Sequence, residues 1–182
     1  GGMATDFRFG RVFWSQATDA HSVVGAIGAA YQAEGGPDGT LALPTSDETV
    51  TPDGKGRFST FQNGVIYWSP TTGAHAVRGA IRAMWADQGS ERGDLGYPTT
   101  DEITNPNKPG VVQGFQGGTV YWSEETGPKV VKGSILKTYR EAGAENSALG
   151  YPVTDEIALS TRNGAFSRFQ GGSIYWSKDT GA

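Results

Sequence analysis

The side chains that could do chemistry in this sequence recur at intervals of 54 residues. Adjacent carboxylates are the first of them, since Asp47 precedes Glu48 and the same pair returns at 101–102 and 155–156. Two carboxylates can act as acid and base in glycoside hydrolysis, but only at a suitable separation and with divergent pKa values. Three near-identical pairs with no unique partner argue against a single active site. We therefore predict that the protein is not an enzyme and has no catalytic residues.

Aromatic and amide side chains accompany each carboxylate pair. A sugar-binding surface needs flat aromatic faces for C–H contacts and polar groups that share hydrogen bonds with hydroxyls. Neighbouring side chains of a strand point to opposite faces. One aromatic of each Tyr-Trp pair is thus exposed if the sheet is covered on one face, and both belong to the core if it is covered on both. The predicted glycan-binding residues are Tyr67, Trp68, Tyr121, Trp122, Tyr175, Trp176, Gln62, Gln116, Gln170, Asp47, Glu48, Asp101, Glu102, Asp155 and Glu156.

The two histidines do not indicate a metal site. His21 and His75 lie at predicted helix starts, and the third equivalent position is Lys129. A metal ligand would not usually tolerate that change, so we interpret both histidines as surface or turn residues. The sequence also has no phosphate-binding glycine loop, dinucleotide fingerprint or nucleophile elbow. We predict no metal and no cofactor.

Composition excludes several classes of function. Of 182 residues, 36% are hydrophobic and 11% aromatic, which excludes a disordered or membrane-spanning chain. The net charge is -4, the pI is near 5.1, and Lys and Arg are scattered. We therefore expect no nucleic-acid partner and no insertion into a membrane. There is no cysteine, so neither a disulfide framework nor a thiolate metal site can form.

The fixed period predicts a repeated supersecondary unit. In the third copy, two short strands are predicted around Val111–Phe115 and Thr119–Trp122, joined at 116–118. In the copy before it, Asn63-Gly64 is a two-residue hairpin signal. A polar turn then leads into a helix.

The predicted helix carries one apolar stripe. Val77, Ile81, Met84 and Trp85 fall at i, i+4, i+7 and i+8. The equivalent helix of the next copy should end at Gly143, a C′ glycine. Gly79 would lie inside its helix, where it is less favourable than Ala by about 1 kcal/mol. We interpret the glycine as a point where another backbone or an aromatic ring packs closely against the helix.

The segment before each hairpin predicts a turn followed by a cap. Gly96 should supply a positive φ. Thr99 with Glu102, like Thr45 with Glu48, has the spacing of a capping box. This spacing offers a structural explanation for the glutamates that needs no ligand.

Together these motifs resemble the LGFP repeat. Leu-Gly-Tyr-Pro, then Asp-Glu, then FQGG-x-[IV]-YWS, then TGA and a helix with a central Gly cover residues 7–182 in one partial and three nearly complete copies. There are departures from the pattern: residues 41–44 read Leu-Ala-Leu-Pro, the first hairpin has Phe13-Trp14 for Tyr-Trp, and Tyr stands where the family name has Phe.

The resemblance implies an accessory module of the actinobacterial cell envelope. LGFP repeats accompany mycoloyltransferases, peptidoglycan amidases and other exported enzymes, which they are thought to hold on the wall by binding its polysaccharide. The family also implies repeats arranged around a pseudo-symmetry axis, like the blades of a propeller.

We therefore predict an α+β repeat protein of 54-residue β-hairpin-plus-helix (ββα) units in a propeller-like arrangement, secreted and associated with the cell wall. The predicted boundaries are a cloning scar and N-terminal tail at 1–6, a partial repeat of hairpin plus helix at 7–40, repeats at 41–94 and 95–148, and a partial repeat of turn plus hairpin at 149–182, all in one structural domain. Whether the chain is a fragment of a larger enzyme stays open.

The predicted function is non-catalytic binding of wall polysaccharide of arabinogalactan or peptidoglycan type. The alternative is a structural or self-assembling protein-interaction module with no glycan ligand, in which the incomplete repeats at the two ends mediate self-association.

Overall fold

The computed structural model describes residues 2–159 and 163–182. The chain forms two compact units, Gly1–Asp101 and Glu102–Ala182. That all repeats belong to one domain and surround a common axis stays a prediction.

The first unit contains two antiparallel sheets and two α-helices. The sheets have the strand orders β1-β2-β3 and β4-β5-β6-β7. Residues 3–6, expected to belong to a tail, lie in β1 and pair with β2. The elements are β1 (Met3–Phe7), β2 (Gly10–Ser15), β3 (Asp19–Val24), α1 (Gly25–Ala33), β4 (Thr49–Val50), β5 (Arg57–Phe61), β6 (Gly64–Ser69), β7 (Gly73–Arg78) and α2 (Gly79–Asp87), with single 3₁₀ turns at Gly36–Asp38 and Ser90–Arg92.

The second unit repeats this plan. Its sheets have the orders β8-β9-β10-β11 and β12-β13-β14. Over the described residues the fold is therefore an α+β repeat of antiparallel sheets and short helices. The elements are β8 (Ile103–Thr104), β9 (Val111–Phe115), β10 (Gly118–Ser123), β11 (Gly127–Val131), α3 (Gly133–Glu141), β12 (Ile157–Leu159), β13 (Gly164–Phe169) and β14 (Gly172–Ser177), with a 3₁₀ turn at Ala144–Asn146.

The predicted hairpins are confirmed, with one change in the loop. Phe61 pairs with Gly64, so the two loop residues are Gln62 and Asn63 rather than Asn63 and Gly64. Gly64 is instead the first residue of β6, and a Cβ there would lie 2.5 Å from Cδ2 of Leu41. The glycine serves close packing at this position, and the two-residue turn lies one residue earlier than predicted.

Each repeat in which a helix follows the hairpin also contains a third long strand, which the ββα prediction missed. In the second repeat β7 pairs with β6 along its length, with Val77 opposite Val65. His21 and His75 therefore lie in β3 and β7, and the prediction that they sit at helix starts was wrong. Val77 belongs to the strand as well. Within α2 the stripe consists of Ile81 and Trp85, each 1% exposed, and the half-buried Met84.

The glycine expected inside each helix is its first residue. Gly79 has φ +53° and no atom within 4 Å of a Cβ built on it. The expected close approach of a backbone or ring is therefore wrong. Glycine is needed here because the strand-to-helix junction is left-handed, a conformation that costs other residues about 1–2 kcal/mol. The same junctions at Gly25 and Gly133 have φ +54° and +56°. The predicted C′ glycine Gly143 is confirmed by its φ of +99°.

In the first unit, α1 lies between two sheets and completes the core of both. Its buried Ile27 and Tyr31 cluster with Phe13 from the sheet before it and Phe61 from the sheet after it. The Tyr31 ring stacks on Phe61 at 4.6 Å and meets Phe13 edge-on at 5.4 Å. A hairpin alone could not bury these rings, so consecutive repeats stabilise each other.

The second unit has the same core around α3. Tyr139 lies between Tyr121 of one sheet, at 5.1 Å, and Phe169 of the next, at 4.4 Å. Ile135 and Ile174 are buried in the same cluster. α1 and α3 thus each carry a tyrosine that links two sheets of the same unit.

The aromatic at this position of each helix also holds the Leu-x-x-Pro turn of the following repeat. Its hydroxyl or indole N–H donates a hydrogen bond to the backbone carbonyl of the residue that follows the leucine. That following residue has a left-handed backbone conformation. The predicted positive φ at Gly96 is confirmed at +63°, and Ala42 adopts +57° although it is not glycine. The donors and acceptors are Tyr31 and Ala42 at 2.7 Å, Trp85 and Gly96 at 3.0 Å, and Tyr139 and Gly150 at 2.6 Å.

Candidate functional site

The aspartate of each carboxylate pair binds the backbone of the preceding repeat. Its Oδ1 accepts a hydrogen bond from an N–H of the third strand, 25 residues earlier in the chain. That strand is the edge of its sheet, and a charged acceptor satisfies a donor that would otherwise be free. The pairs are Ser22 N to Asp47 at 2.7 Å, Ala76 N to Asp101 at 2.9 Å, and Val130 N to Asp155 at 2.7 Å.

The environment of Asp47 favours its ionised form. The Ser22 N–H, and after it the Ser22 hydroxyl at 2.9 Å, lower the pKa of this carboxyl below its ordinary value of 3.8. Histidine nitrogens face two of the aspartates: His21 Nδ1 is 3.8 Å from Asp47 Oδ1, and His75 Nδ1 is 3.4 Å from Asp101 Oδ1. These contacts link one repeat to the next.

The capping-box interpretation was wrong. Residues 45–48 and 99–102 precede the two-residue strands β4 and β8, and no helix begins there. Glu48 instead lies 3.3 Å from the guanidinium of Arg57. Glu102 and Glu156 are half-buried at the equivalent positions.

The two aromatics of each Tyr-Trp pair face opposite sides of the sheet, and the tyrosines of the inner repeats are core residues. Tyr67 is 8% and Tyr121 3% exposed, whereas Tyr175 is 60% exposed. The Tyr67 ring packs between Phe58 at 5.1 Å and Trp85 at 4.8 Å. Neither buried ring has a free face for a sugar.

The tryptophans keep partial access to solvent. Trp68, Trp122 and Trp176 are half-buried. Trp68 packs on the core around Tyr31, and Trp176 packs on the core around Tyr139. In the inner repeats the accessible aromatic is therefore the tryptophan.

The glutamines fasten the hairpin loop to the Leu-x-x-Pro turn. Gln62 Oε1 accepts a hydrogen bond from Leu43 N at 3.1 Å, and Gln170 Oε1 accepts one from Tyr151 N at 2.8 Å. Gln170 Nε2 also donates to Glu125 Oε2 at 2.7 Å. These side chains are exposed, as is Gln116, so they hold the turns together at the protein surface.

Around Gln170 the second unit has a cleft of about 470 Å³. Its walls are the 105–110 loop, the turn between β10 and β11, and the turns that carry Tyr151 and Gln170. Asn105 holds the loop in place by donating to the Tyr151 hydroxyl at 3.3 Å, and Lys108 Nζ donates to the Glu145 carbonyl at 2.9 Å. The lining residues are Lys108, Pro109, Ser123, Glu124, Glu125, Tyr151 and Gln170.

This cleft offers a small ligand both polar groups and an apolar wall. Carboxylates, an ammonium and an amide surround a volume typical of small-molecule sites. Of the predicted glycan-binding residues, Gln170 alone is among its lining residues, and Lys108, Glu124 and Glu125 were missed. They were missed because they do not repeat: positions 124–125 are Glu-Glu, but 70–71 are Pro-Thr and 16–17 are Gln-Ala.

A second cavity, of about 350 Å³, lies in the first unit beside α1. Phe7, Gly10, Arg11 and Gly28 are among its lining residues. The position of Gly28 is occupied by Arg82 in α2 and by Leu136 in α3, so the cavity follows from a missing side chain.

Within the part of the chain that the structure describes, no three histidine or acidic side chains are grouped to hold a metal ion. Over the same residues, no helix is long and apolar enough to cross a membrane.

A family model described as LGFP repeat matches residues 1–39, 41–93, 95–147 and 149–182. No curated protein matches the chain. The last three matched segments begin at 41, 95 and 149, where the sequence period places the leucine of each Leu-x-x-Pro turn.

Proposed function

The chain belongs to the LGFP repeat family, and from this membership we propose that it is a non-catalytic module that attaches to cell-wall polysaccharide. The ligand is a glycan of arabinogalactan or peptidoglycan type, and the protein that carries the module is secreted and associated with the wall. The observation that supports this most directly is the cleft of the second unit.

The cleft groups are held ready for sugar hydroxyls. Gln170 and Glu125 are joined by a hydrogen bond of 2.7 Å, which fixes both before a ligand arrives, and each keeps further acceptor capacity. Lys108 and Glu124 line the same cleft and add a donor and an acceptor. Tyr151, 3% exposed, supplies part of the apolar wall.

Weaker contacts on other repeats add to this site. Trp68, Trp122 and Trp176 are half-buried and lie on the sheet face opposite the tyrosine of the same pair, and Gln62 and Gln116 are exposed in the hairpin loops. We propose that the repeats lie about a common axis, so that these sites engage one polymer together. Linked weak sites of this kind gain about 10²–10⁴ in avidity.

Binding without hydrolysis agrees with the placement of the three repeated aspartates. Asp47, Asp101 and Asp155 each accept a backbone N–H, so they serve the fold rather than act as a catalytic acid or base. Glycoside hydrolysis needs two carboxyl groups on either side of one bond.

The proposal is tested by retention on purified cell wall, before and after the arabinogalactan is stripped. We expect the protein to bind untreated wall and to remain bound in about 0.5 M salt, where exposed charge pairs are largely screened. The double substitution Glu125→Gln with Gln170→Ala should release it. Glu141→Gln, which removes an exposed carboxylate on α3, is the matched control. Retention that vanishes at moderate salt, or that ignores the double substitution, contradicts the proposal.

The second candidate function is attachment to another protein. It is favoured by the apolar side chains Met3, Phe7 and Phe9, which are 66%, 62% and 77% exposed on and beside β1. No retention on wall at any salt concentration would favour this candidate over the first.

A further inference from the structure

Two Leu-x-x-Pro segments add to their hairpins as short antiparallel strands. In the second repeat Gln62 N donates to the Leu43 carbonyl at 3.0 Å and Asn63 N donates to the Leu41 carbonyl at 3.2 Å, while Thr45 N donates to the Thr60 carbonyl at 2.8 Å. The last repeat uses the same pattern. Its bonds are Gln170 N to Tyr151 O at 3.0 Å, Gly171 N to Leu149 O at 2.8 Å and Val153 N to Arg168 O at 2.8 Å.

The leucine of each segment fills an apolar site on its hairpin, formed by the glycine and the phenylalanine that flank the two-residue loop. We call this site the leucine seat. Leu41 is fully buried beside Gly64, in the cluster that contains Phe61. A Cβ on Gly172, the equivalent glycine of the last repeat, would lie 3.2 Å from Cδ2 of Leu149. Phe61 is 3% exposed, and its equivalent Phe169 is 4% exposed. In both repeats, a buried phenylalanine therefore indicates that a leucine occupies the seat.

The same seat on β1 is open. Phe7 stands 54 residues before Phe61, yet it is 62% exposed. In the described residues β1 pairs with β2 alone and forms the edge of its sheet. Gly10, the counterpart of Gly64, has only Val23 and Val24 among its nearest neighbours. An edge strand with exposed apolar side chains is a ready template for an added strand.

We propose that the outer edge of β1 is a docking site for a Leu-x-x-Pro segment of a different protein that contains LGFP repeats. The occupant is identified by what fills the equivalent positions of this same chain. Its leucine covers Phe7 and Gly10, and its carbonyls accept the N–H groups of Arg8 and Phe9, as Leu43 and Leu41 accept those of Gln62 and Asn63. Main-chain bonds provide the attachment, and the leucine seat provides the selectivity.

The test uses the full chain and a fluorescent synthetic peptide with the sequence of residues 147–157, SALGYPVTDEI. Fluorescence anisotropy should show saturable binding. A peptide with Leu149→Ala should bind at least about tenfold more weakly, because it lacks the side chain that covers the seat. On the protein, Phe7→Ser should weaken binding by a similar factor. Tyr175→Ser changes another exposed aromatic, 60% exposed on β14, and should leave binding unchanged.

Three results would overturn the proposal. The peptide fails to bind, or it binds the Phe7→Ser protein as tightly as the wild type, or sedimentation shows dimers of the wild-type chain that Phe7→Ser dissolves. The last result would make a second copy of this chain the occupant. Phe7 is exposed, so its replacement should leave the unfolding transition unchanged, and circular dichroism verifies that each variant is folded.

Discussion

Replacing Tyr139 with phenylalanine removes one hydroxyl and leaves the rest of the core in place. The Tyr139 side chain is fully buried, and its hydroxyl donates to the Gly150 carbonyl at 2.6 Å. Burial, and after it the nearby Tyr121 and Glu145, raises the pKa of this hydroxyl above its ordinary value. The hydroxyl therefore keeps its proton at neutral pH and donates the hydrogen bond to the carbonyl. Without it the buried carbonyl loses its partner, and an unsatisfied buried acceptor costs about 1–3 kcal/mol.

Urea unfolding followed by tryptophan fluorescence measures this loss. With a denaturant slope of about 2 kcal/mol per M, the midpoint should fall by about 0.5–1.5 M. Tyr31→Phe should produce a similar fall, because the Tyr31 hydroxyl makes the same bond to the Ala42 carbonyl at 2.7 Å. The exposed Tyr175→Phe is the control. If Tyr139→Phe unfolds at the same urea concentration as this control, the bond does not hold the Leu-x-x-Pro turn and the reasoning is refuted.

Three further predictions concern the frame of the repeats. Ile81→Ala, at a 1% exposed position, should cost about 2–5 kcal/mol in urea unfolding, and a change no larger than that of the exposed Lys137→Ala would place Ile81 outside the core. Ala42→Gly should raise the melting temperature and Gly79→Ala should lower it, each by the equivalent of about 1 kcal/mol, because the backbone at both positions is left-handed. If both variants melt at the temperature of the wild type, the left-handed backbone carries no strain at these positions. The pKa of Asp47 is lowered, so its contribution to stability is present above the ordinary value of 3.8 and is lost as the pH falls through the folded-state pKa. In a plot of unfolding free energy against pH, Asp47→Asn should therefore reduce the loss of stability at acid pH. An unchanged loss in this variant would contradict the role of Asp47.

The hairpins and the helix ends could be predicted because their signals are local. Alternating apolar residues and a two-residue loop define the pairing of β9 with β10, and Gly143 ends its helix through its own backbone freedom. The third strand could not be predicted in the same way. Residues 73–78 read Gly-Ala-His-Ala-Val-Arg, a run with little strand propensity that continues into an apolar helix. It forms a strand because β6 needs a partner on that side, and tertiary pairing outweighs local preference.

The candidate site was harder to predict than the fold. The partner of Asp47 is a backbone N–H 25 residues earlier, and no sequence pattern marks a backbone donor. Tyr67 and Trp68 alternate as a strand requires, but only the packing of α2 decides which of them is buried. The residues of the cleft were missed for the opposite reason. Glu124 and Glu125 occupy a turn whose composition changes from repeat to repeat, so a search for recurring chemistry passes over them.

Titration calorimetry with soluble arabinogalactan fragments tests the proposed function most directly. We predict saturable binding by the wild-type protein, preserved in about 0.5 M salt because it does not depend on long-range charge attraction. We also predict that the double substitution Glu125→Gln with Gln170→Ala abolishes the binding heat, while Glu141→Gln leaves it unchanged. No binding heat from the folded wild-type protein, or equal heats from the wild type and the double variant, would contradict the assignment of the cleft as the polysaccharide site.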